Sequence, residues 1–190
     1  MPFRDSPIVV IAASTGGLSA LGELLPALPA QLGAGTVIIQ HMPRGFTAAL
    51  AERLDRVARL SVREATGGET LDPGVALLAP GGAHLRLTSG RTATLSDAPE
   101  IGGLRPRADV TIADAVRLFG RRTVLVVLTG MGTDGLEGAA EVRRRGGRVL
   151  VEAASSCAVY GMPRAVAEAD LADVELPLSE LPAAIAAEAA

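Results

Sequence analysis

Residues 8–13, Ile8-Val-Val-Ile-Ala-Ala13, are apolar without interruption and stop at Ser14-Thr15-Gly16-Gly17. A β-branched run with no polar alternation is the pattern of a strand buried on both faces, and such strands belong to parallel sheets covered by helices. The period then changes. Leu18, Leu21, Leu24, Leu25 and Leu28 recur at helical spacing, and Pro26 and Pro29 mark the frayed end of that helix. The same unit follows again: residues 36–40 read as a buried strand, His41-Met-Pro-Arg-Gly45 as a loop, and Thr47 as the cap of a helix running to about residue 56. Strand alternating with helix predicts an α/β domain, three-layer and doubly wound, whose mainly parallel sheet carries helices on both faces through right-handed crossovers.

The middle of the chain breaks this rhythm. Residues 62–64, 75–79, 85–88 and 93–96 are short strand-like runs split by glycine-rich turns, and they predict a small antiparallel hairpin excursion with Ser89-Gly90 at one turn. The α/β alternation resumes with a helix over 107–119, a strand over 123–129 and a helix over 133–145 ended by Gly146-Gly147. A strand over 148–152, a helix over 163–169 and an alanine-rich helix from about 179 complete the prediction.

Composition narrows the chemistry. All 18 basic residues are arginine, and the chain has no Lys, Asn or Trp, two His and one Cys. A Schiff-base amine, a P-loop lysine, an internal disulfide, a cysteine-based zinc site and a Cys-His-Asn triad are therefore all excluded. A formal charge of −3 and 2% aromatic residues argue against a nucleic-acid partner. A mean hydropathy of +0.34 argues against disorder. No apolar run approaches the roughly 20 residues of a membrane span, and the N-terminus lacks the apolar core of a signal peptide, so no membrane insertion and a cytoplasmic location are expected.

In an open parallel sheet, ligands sit beyond the carboxyl ends of the strands. Three such turns carry reactive groups: Ser14 and Thr15 before Gly16-Gly17, His41 after Gln40, and Asp134 in Thr129-Gly-Met-Gly-Thr-Asp-Gly135. Each also has a plainer reading. Ser14 and Thr15 fit helix caps, Gly16-Gly17 fit a phosphate cradle, His41 an anchoring loop residue and Asp134 an N-cap or turn residue. Their joint placement at one predicted sheet edge favours a nucleophile, a base and its orienting acid. His84, in Ala79-Pro-Gly-Gly-Ala-His84, precedes a strand and reads as structural or peripheral; Cys157 reads as an inert thiol in apolar company; Arg143-Arg144-Arg145 reads as a solvated face. The triad order Ser, His, Asp differs from that of α/β-hydrolases, and Ala12 occupies the first glycine position of a nucleophile elbow, so a standard esterase of that fold is disfavoured.

Five segments together resemble one family. Ile11-Ala-Ala-Ser-Thr-Gly-Gly17, Gln40-His-Met-Pro-Arg-Gly-Phe-Thr47, Ala79-Pro-Gly-Gly-Ala-His-Leu85, Leu128-Thr-Gly-Met-Gly-Thr-Asp-Gly135 and Ser156-Cys-Ala-Val-Tyr-Gly-Met-Pro-Arg164 are similar, in order, to the signatures of the CheB-type protein-glutamate methylesterase catalytic domain of bacterial chemotaxis. The resemblance spans roughly residues 8–178. The chain is expected to be a single catalytic domain over 1–190; this departs from the family, whose members usually carry a receiver domain first, and leaves a free-standing esterase and an excised part of a longer protein both open. The resemblance implies Ser14 as nucleophile, His41 as general base, Asp134 as its orienting acid, and Thr15, Gly16 and Met131 as substrate or oxyanion contacts, with no metal or organic cofactor. The implied substrates are glutamate methyl esters, and certain glutamines, on the cytoplasmic helices of methylated chemoreceptors; a separate receiver or signalling protein is a second candidate partner. Two segments depart from the family pattern: Arg105-Pro-Arg-Ala-Asp109 where R-P-S-V-D is usual, and Glu152-Ala-Ala-Ser155 where Gln, Asn or Asp, then Glu is frequent. A non-catalytic module binding phosphate or a nucleotide is the competing reading, and so is an adaptation protein that docks without turnover. His41 and Asp134, which phosphate binding does not require, and the missing lysine weigh against the former.

Overall fold

The computed structural model describes residues 6–190. Seven parallel strands form one sheet in the order β3-β4-β2-β1-β7-β8-β9. These are β1 (Ile8–Ala13), β2 (Thr36–Gln40), β3 (Ser61–Glu64), β4 (Val75–Leu78), β7 (Thr123–Val127), β8 (Arg148–Glu152) and β9 (Val174–Leu176). Between β4 and β7 the chain leaves the sheet to make a separate antiparallel hairpin, β5 (His84–Leu87) with β6 (Ala93–Ser96), turning at Ser89-Gly90.

Alternate residues of the central strands feed two cores. Val9, Ile11 and Ala13 pack with Leu21, Leu24 and Leu25 of α1 (Gly17–Ala27), Leu50 and Leu54 of α2 (Thr47–Asp55) and Ile185 of α6 (Leu181–Glu188). Ile8, Val10 and Ala12 face the other way, toward Ile112 and Val116 of α3 (Ala108–Phe119), Val142 of α4 (Leu136–Arg144), Val166 of α5 (Met162–Glu168) and Leu85 of the hairpin. All six β1 residues are fully buried, which is why polar alternation is missing from its sequence. Three layers and a doubly wound sheet follow, as the sequence pattern predicts.

Four details depart from the sequence expectation. Runs 62–64 and 75–79 are parallel members of the main sheet rather than parts of a hairpin, because β4 inserts between β2 and β3. Thr47 does not cap α2; its hydroxyl bonds Glu64 and accepts the Gly81 N–H at 2.9 Å, tying α2 to the ends of β3 and β4. The fourth helix begins at Leu136 rather than 133, since its N-cap Gly135 holds a left-handed backbone (φ +95°) that a right-handed helix does not continue through. The short edge strand β9 has no hydrophobic run long enough to announce it. Arg143, Arg144 and Arg145 are exposed, and they pair with Asp173 and Glu141. Among the described residues no helix is long and apolar enough to cross a membrane.

Strand order reverses at β1. The chain moves outward through β2 on one side, then returns to lay β7 on the other, so β2, β1 and β7 are neighbours and their carboxyl ends open onto one crevice.

Candidate active site

Each reactive group leaves one of these three adjacent strands. Ser14 follows β1, its N–H donating to the Thr129 carbonyl at 3.0 Å and its carbonyl accepting from Gly17 N–H and from the Gln40 side-chain amide. That fixes the serine backbone between β2 and β7. Gly16 (φ +85°) serves as the N-cap of α1, with no side-chain cap, so neither Ser14 nor Thr15 is spent on capping. The left-handed backbone there favours glycine, and an added Cβ would also lie 2.6 Å from the Ala158 Cβ. Gly130 matters for space: a Cβ on it would lie 2.7 Å from the Ser14 Cβ and 2.5 Å from the Met162 sulfur. The Ser14 hydroxyl makes no hydrogen bond with a described residue.

His41 follows β2, its N–H bonded to the Ala13 carbonyl at 3.1 Å. Its Nε2 donates to Asp134 Oδ2 at 2.6 Å, with the two side chains 8% and 1% exposed. Nδ1 is thereby the ring nitrogen left to accept a proton, and it has no partner among the described residues. No hydrogen bond joins Ser14 to His41 in this structure; contacts between a nucleophile and its base commonly tighten only around substrate.

Asp134 sits in the loop after β7, and the structure gives it a different helix to cap from the one its sequence position suggests. Its Oδ2 accepts Ala108 N–H at 2.6 Å and its Oδ1 accepts Asp109 N–H at 3.0 Å, the first two amides of α3. Asp109 returns the arrangement, since its Oδ1 accepts Gly135 N–H and Gly138 N–H at the start of α4. Each helix is thus capped by a carboxylate from beside the other. Arg107 spans the pair, with Nη2 donating to Asp109 Oδ2 at 2.8 Å and Nε 3.6 Å from Asp134 Oδ1. Burial alone would raise the Asp134 carboxyl, but the His41 ring and the two α3 amides outweigh it and hold the group below its usual range. Asp109 moves the other way: burial pushes it up, and the adjacent Asp134 charge adds to this despite the Gly138 and Arg107 donors. Asp134 is therefore the carboxylate that stays ionised opposite the imidazole.

Thr15 and Met131 are exposed on the same rim, Met131 at 75%. The N–H groups of Thr15, Gly16 and Met131 donate to no described residue, which leaves three backbone donors beside the serine. Among the described residues no group of three or more His, Cys, Asp or Glu side chains converges to hold a metal ion. Cys157 lines a separate cavity with Gly16 and Thr129, where its thiol donates to the Glu152 carbonyl at 3.6 Å and is pushed up to about 12 by burial and the Glu152 carboxylate. His84 is 1% exposed and uses both nitrogens, Nε2 on the Pro99 carbonyl at 3.1 Å and Nδ1 on Arg107 N–H at 3.3 Å. It anchors the start of α3 and, through it, the cap on Asp134.

Sequence reasoning did not assign Asp109, Arg107 or Gln40. The signal for Asp109 was present, an acidic residue in the first turn of a predicted helix, but nothing in the linear order pairs it with the start of a helix 27 positions on.

The CheB methylesterase family profile matches residues 9–185. The crystal structure of the Thermotoga maritima CheB methylesterase catalytic domain is similar with a TM-score of 0.92 and 40% identity, over 96% of this chain and 98% of that one. Curated relatives named protein-glutamate methylesterase/protein-glutamine glutaminase include those of Symbiobacterium thermophilum, 45% identical over 94% of this chain and 49% of the relative, and Moorella thermoacetica, 47% identical over 95% and 43%. The chain spans about half the length of the curated relatives it matches. With five motifs in order, the same fold and a family profile covering nearly all of it, the chain belongs to the CheB methylesterase family.

Proposed function

We propose that this chain is a serine hydrolase that removes methyl groups from glutamate methyl esters of chemoreceptors, and deamidates receptor glutamines, in chemotaxis adaptation in the cytoplasm. The observation that carries the reading is the buried 2.6 Å bond from His41 Nε2 to Asp134, placed one strand away from an uncommitted serine hydroxyl. A structural histidine would spend both nitrogens; this one keeps Nδ1 open.

In this reading Ser14 Oγ attacks the ester carbonyl carbon while His41 Nδ1 takes its proton. Asp134, ionised and fixed by the α3 amides, holds the tautomer and stabilises the imidazolium, a role worth about ten thousandfold in kcat in comparable triads. The tetrahedral oxyanion is received by the N–H groups of Thr15, Gly16 and Met131, at about 3 kcal/mol per donor. The C–O bond to the methoxy group then breaks as His41 returns the proton, releasing methanol and leaving an acyl-serine. Water, deprotonated by His41, attacks that acyl carbon; the proton goes back to Ser14 and the glutamate carboxylate departs. With glutamine the leaving group is ammonia and the rest is unchanged. The steps described need no metal or organic cofactor.

A phosphate-binding module accounts for the free amides at the start of α1 but gives the buried His41 and Asp134 pair no task. The deciding assay is methanol release from a methylated receptor signalling fragment by the wild type, Ser14→Ala and His41→Ala. Release lost in both variants supports the triad; no release by the folded wild type from a verifiably methylated fragment sinks it.

A further inference from the structure

Half-buried arginines in this protein have partners. Arg107 and Arg148 pair with carboxylates, and Arg91 and Arg122 lie over the Phe119 ring. Arg105 has no such counterpart. Its Nη1 donates to the carbonyls of Asp97 and Ala98, both at 3.1 Å, while its Nε is buried without a hydrogen-bond partner and no carboxylate of the described residues pairs with it. A desolvated guanidinium left without an anion is costly, and so is a buried N–H left without an acceptor.

What Arg105 does face is a cavity of about 340 Å³. The loop after β2 contributes His41, Met42 and Pro43 to its lining, and the segment before α3 contributes Leu104, Arg105 and Pro106. The cavity therefore shares a wall with the base of the proposed triad. The guanidinium is also held in place beforehand: its backbone carbonyl accepts Gly82 N–H at 2.9 Å, and Nη1 is fixed by two carbonyls. With Nη1 occupied and Nε sealed from solvent, Nη2 is the nitrogen left to meet a carboxylate, through a charge-assisted hydrogen bond. The apolar faces of Met42, Pro43, Leu104 and Pro106 suit the methylenes that carry such a group.

We propose that this cavity is a subsite for a carboxylate of the substrate polypeptide that neighbours the reacting ester or amide, and that Arg105 is the residue that selects it. The inference rests on the hydrolase reading above and adds a substrate class to it, acidic segments. Glu100 also lines the cavity, but it is exposed and unpaired with Arg105. Its solvated charge is screened, whereas the guanidinium is partly stripped of water, so the cation dominates recognition and Glu100 moderates it.

The test uses helix-forming peptides bearing one glutamyl γ-methyl ester, with Glu or Gln one helical turn away. Wild-type kcat/KM, read by methanol release at low salt, is expected to favour the Glu-flanked peptide about tenfold, the discrimination typical of a hydrogen-bonded charge. Arg105→Gln brings the two peptides to within about twofold of each other, Arg105→Lys keeps part of the preference because it retains charge without the planar fork, and Glu100→Gln increases it. Fluorescence anisotropy of the labelled peptides on Ser14→Ala repeats the comparison without turnover. Equal wild-type kcat/KM values, or a preference that survives in a folded Arg105→Gln, overturn the proposal. So does an Arg105→Gln that only relieves inhibition by the hydrolysed peptide, which would assign the arginine to the product's own carboxylate. If no peptide releases methanol but Ser14→Ala still binds the Glu-flanked one more tightly through Arg105, the hydrolase reading fails and the subsite stands.

Discussion

The two histidines, His41 on the loop after β2 and His84 at the first position of β5, are put to opposite uses. His84 is sealed in the protein with both ring nitrogens engaged, one donating to Pro99 and one accepting from Arg107. His41 has one nitrogen locked to a buried carboxylate and the other uncommitted. A ring whose two nitrogens are both satisfied by the backbone holds a loop in place and has nothing left to exchange. A ring fixed on one side only is oriented and still able to take a proton. The difference lies in what the second nitrogen meets, and burial alone does not reveal it.

The largest expected effects test the His41 side of this contrast. Ser14→Ala and His41→Ala each lower kcat by about ten thousandfold or more in methanol release, since members of a triad act as a unit. Thermal unfolding of Ser14→Ala stays at the wild-type temperature, because that hydroxyl bonds no described residue.

Asp134→Asn comes next, with kcat down by about ten thousandfold from loss of the oriented tautomer. It also changes acid stability. The Asp134 carboxyl is held below its usual range, so it contributes stability above its unfolded pKa of about 4, and that contribution disappears as pH falls through the lower folded value. The decline of unfolding temperature on acidification below about pH 4 is therefore shallower in Asp134→Asn than in the wild type. Asp109 has the opposite sign. Burial raises it, so its contribution is present below the unfolded pKa and is lost as pH rises through the folded value, and Asp109→Asn removes that slope. Identical acid profiles for both variants and the wild type would break the account of the crossed caps.

His84→Ala strikes stability first. Two backbone groups lose their partners in a buried site, costing about 2–3 kcal/mol, or about 5–10 °C in unfolding temperature. Activity at a permissive temperature falls less than about tenfold, through loosening of α3 behind Asp134. A His84→Ala that is dead yet fully stable would move His84 into the chemistry and erase the contrast. The smallest effect is at Cys157: with its thiol pushed up to about 12, Cys157→Ser leaves kcat unchanged and iodoacetamide labels the folded wild type at pH 8 far more slowly than the unfolded chain.

Much of this was legible in linear order, and the reasons are local. Uninterrupted β-branched runs such as 8–13 and 36–40 signal buried parallel strands whatever they pair with, and reactive residues placed just after them lie at the sheet's carboxyl edge by topology alone. Ser14, His41 and Asp134 could be singled out for that reason. Strand neighbours were less legible: nothing local distinguishes β3 and β4 from a hairpin, because pairing depends on the rest of the sheet. Asp134 reads as a cap for the helix that follows it, yet it caps α3, since the crossover brings that helix's first amides to the loop.

The residues themselves determined the period of each element, the sites where helices must break and the kinds of chemistry available, because propensity, periodicity and side-chain identity are properties of short stretches. Tertiary structure decided which nitrogen of which histidine stays free, which carboxylate remains ionised and which arginine faces a cavity. Those outcomes depend on burial and on partners distant in sequence, as with the 93 positions between His41 and Asp134, and they exist only once the sheet has ordered its strands.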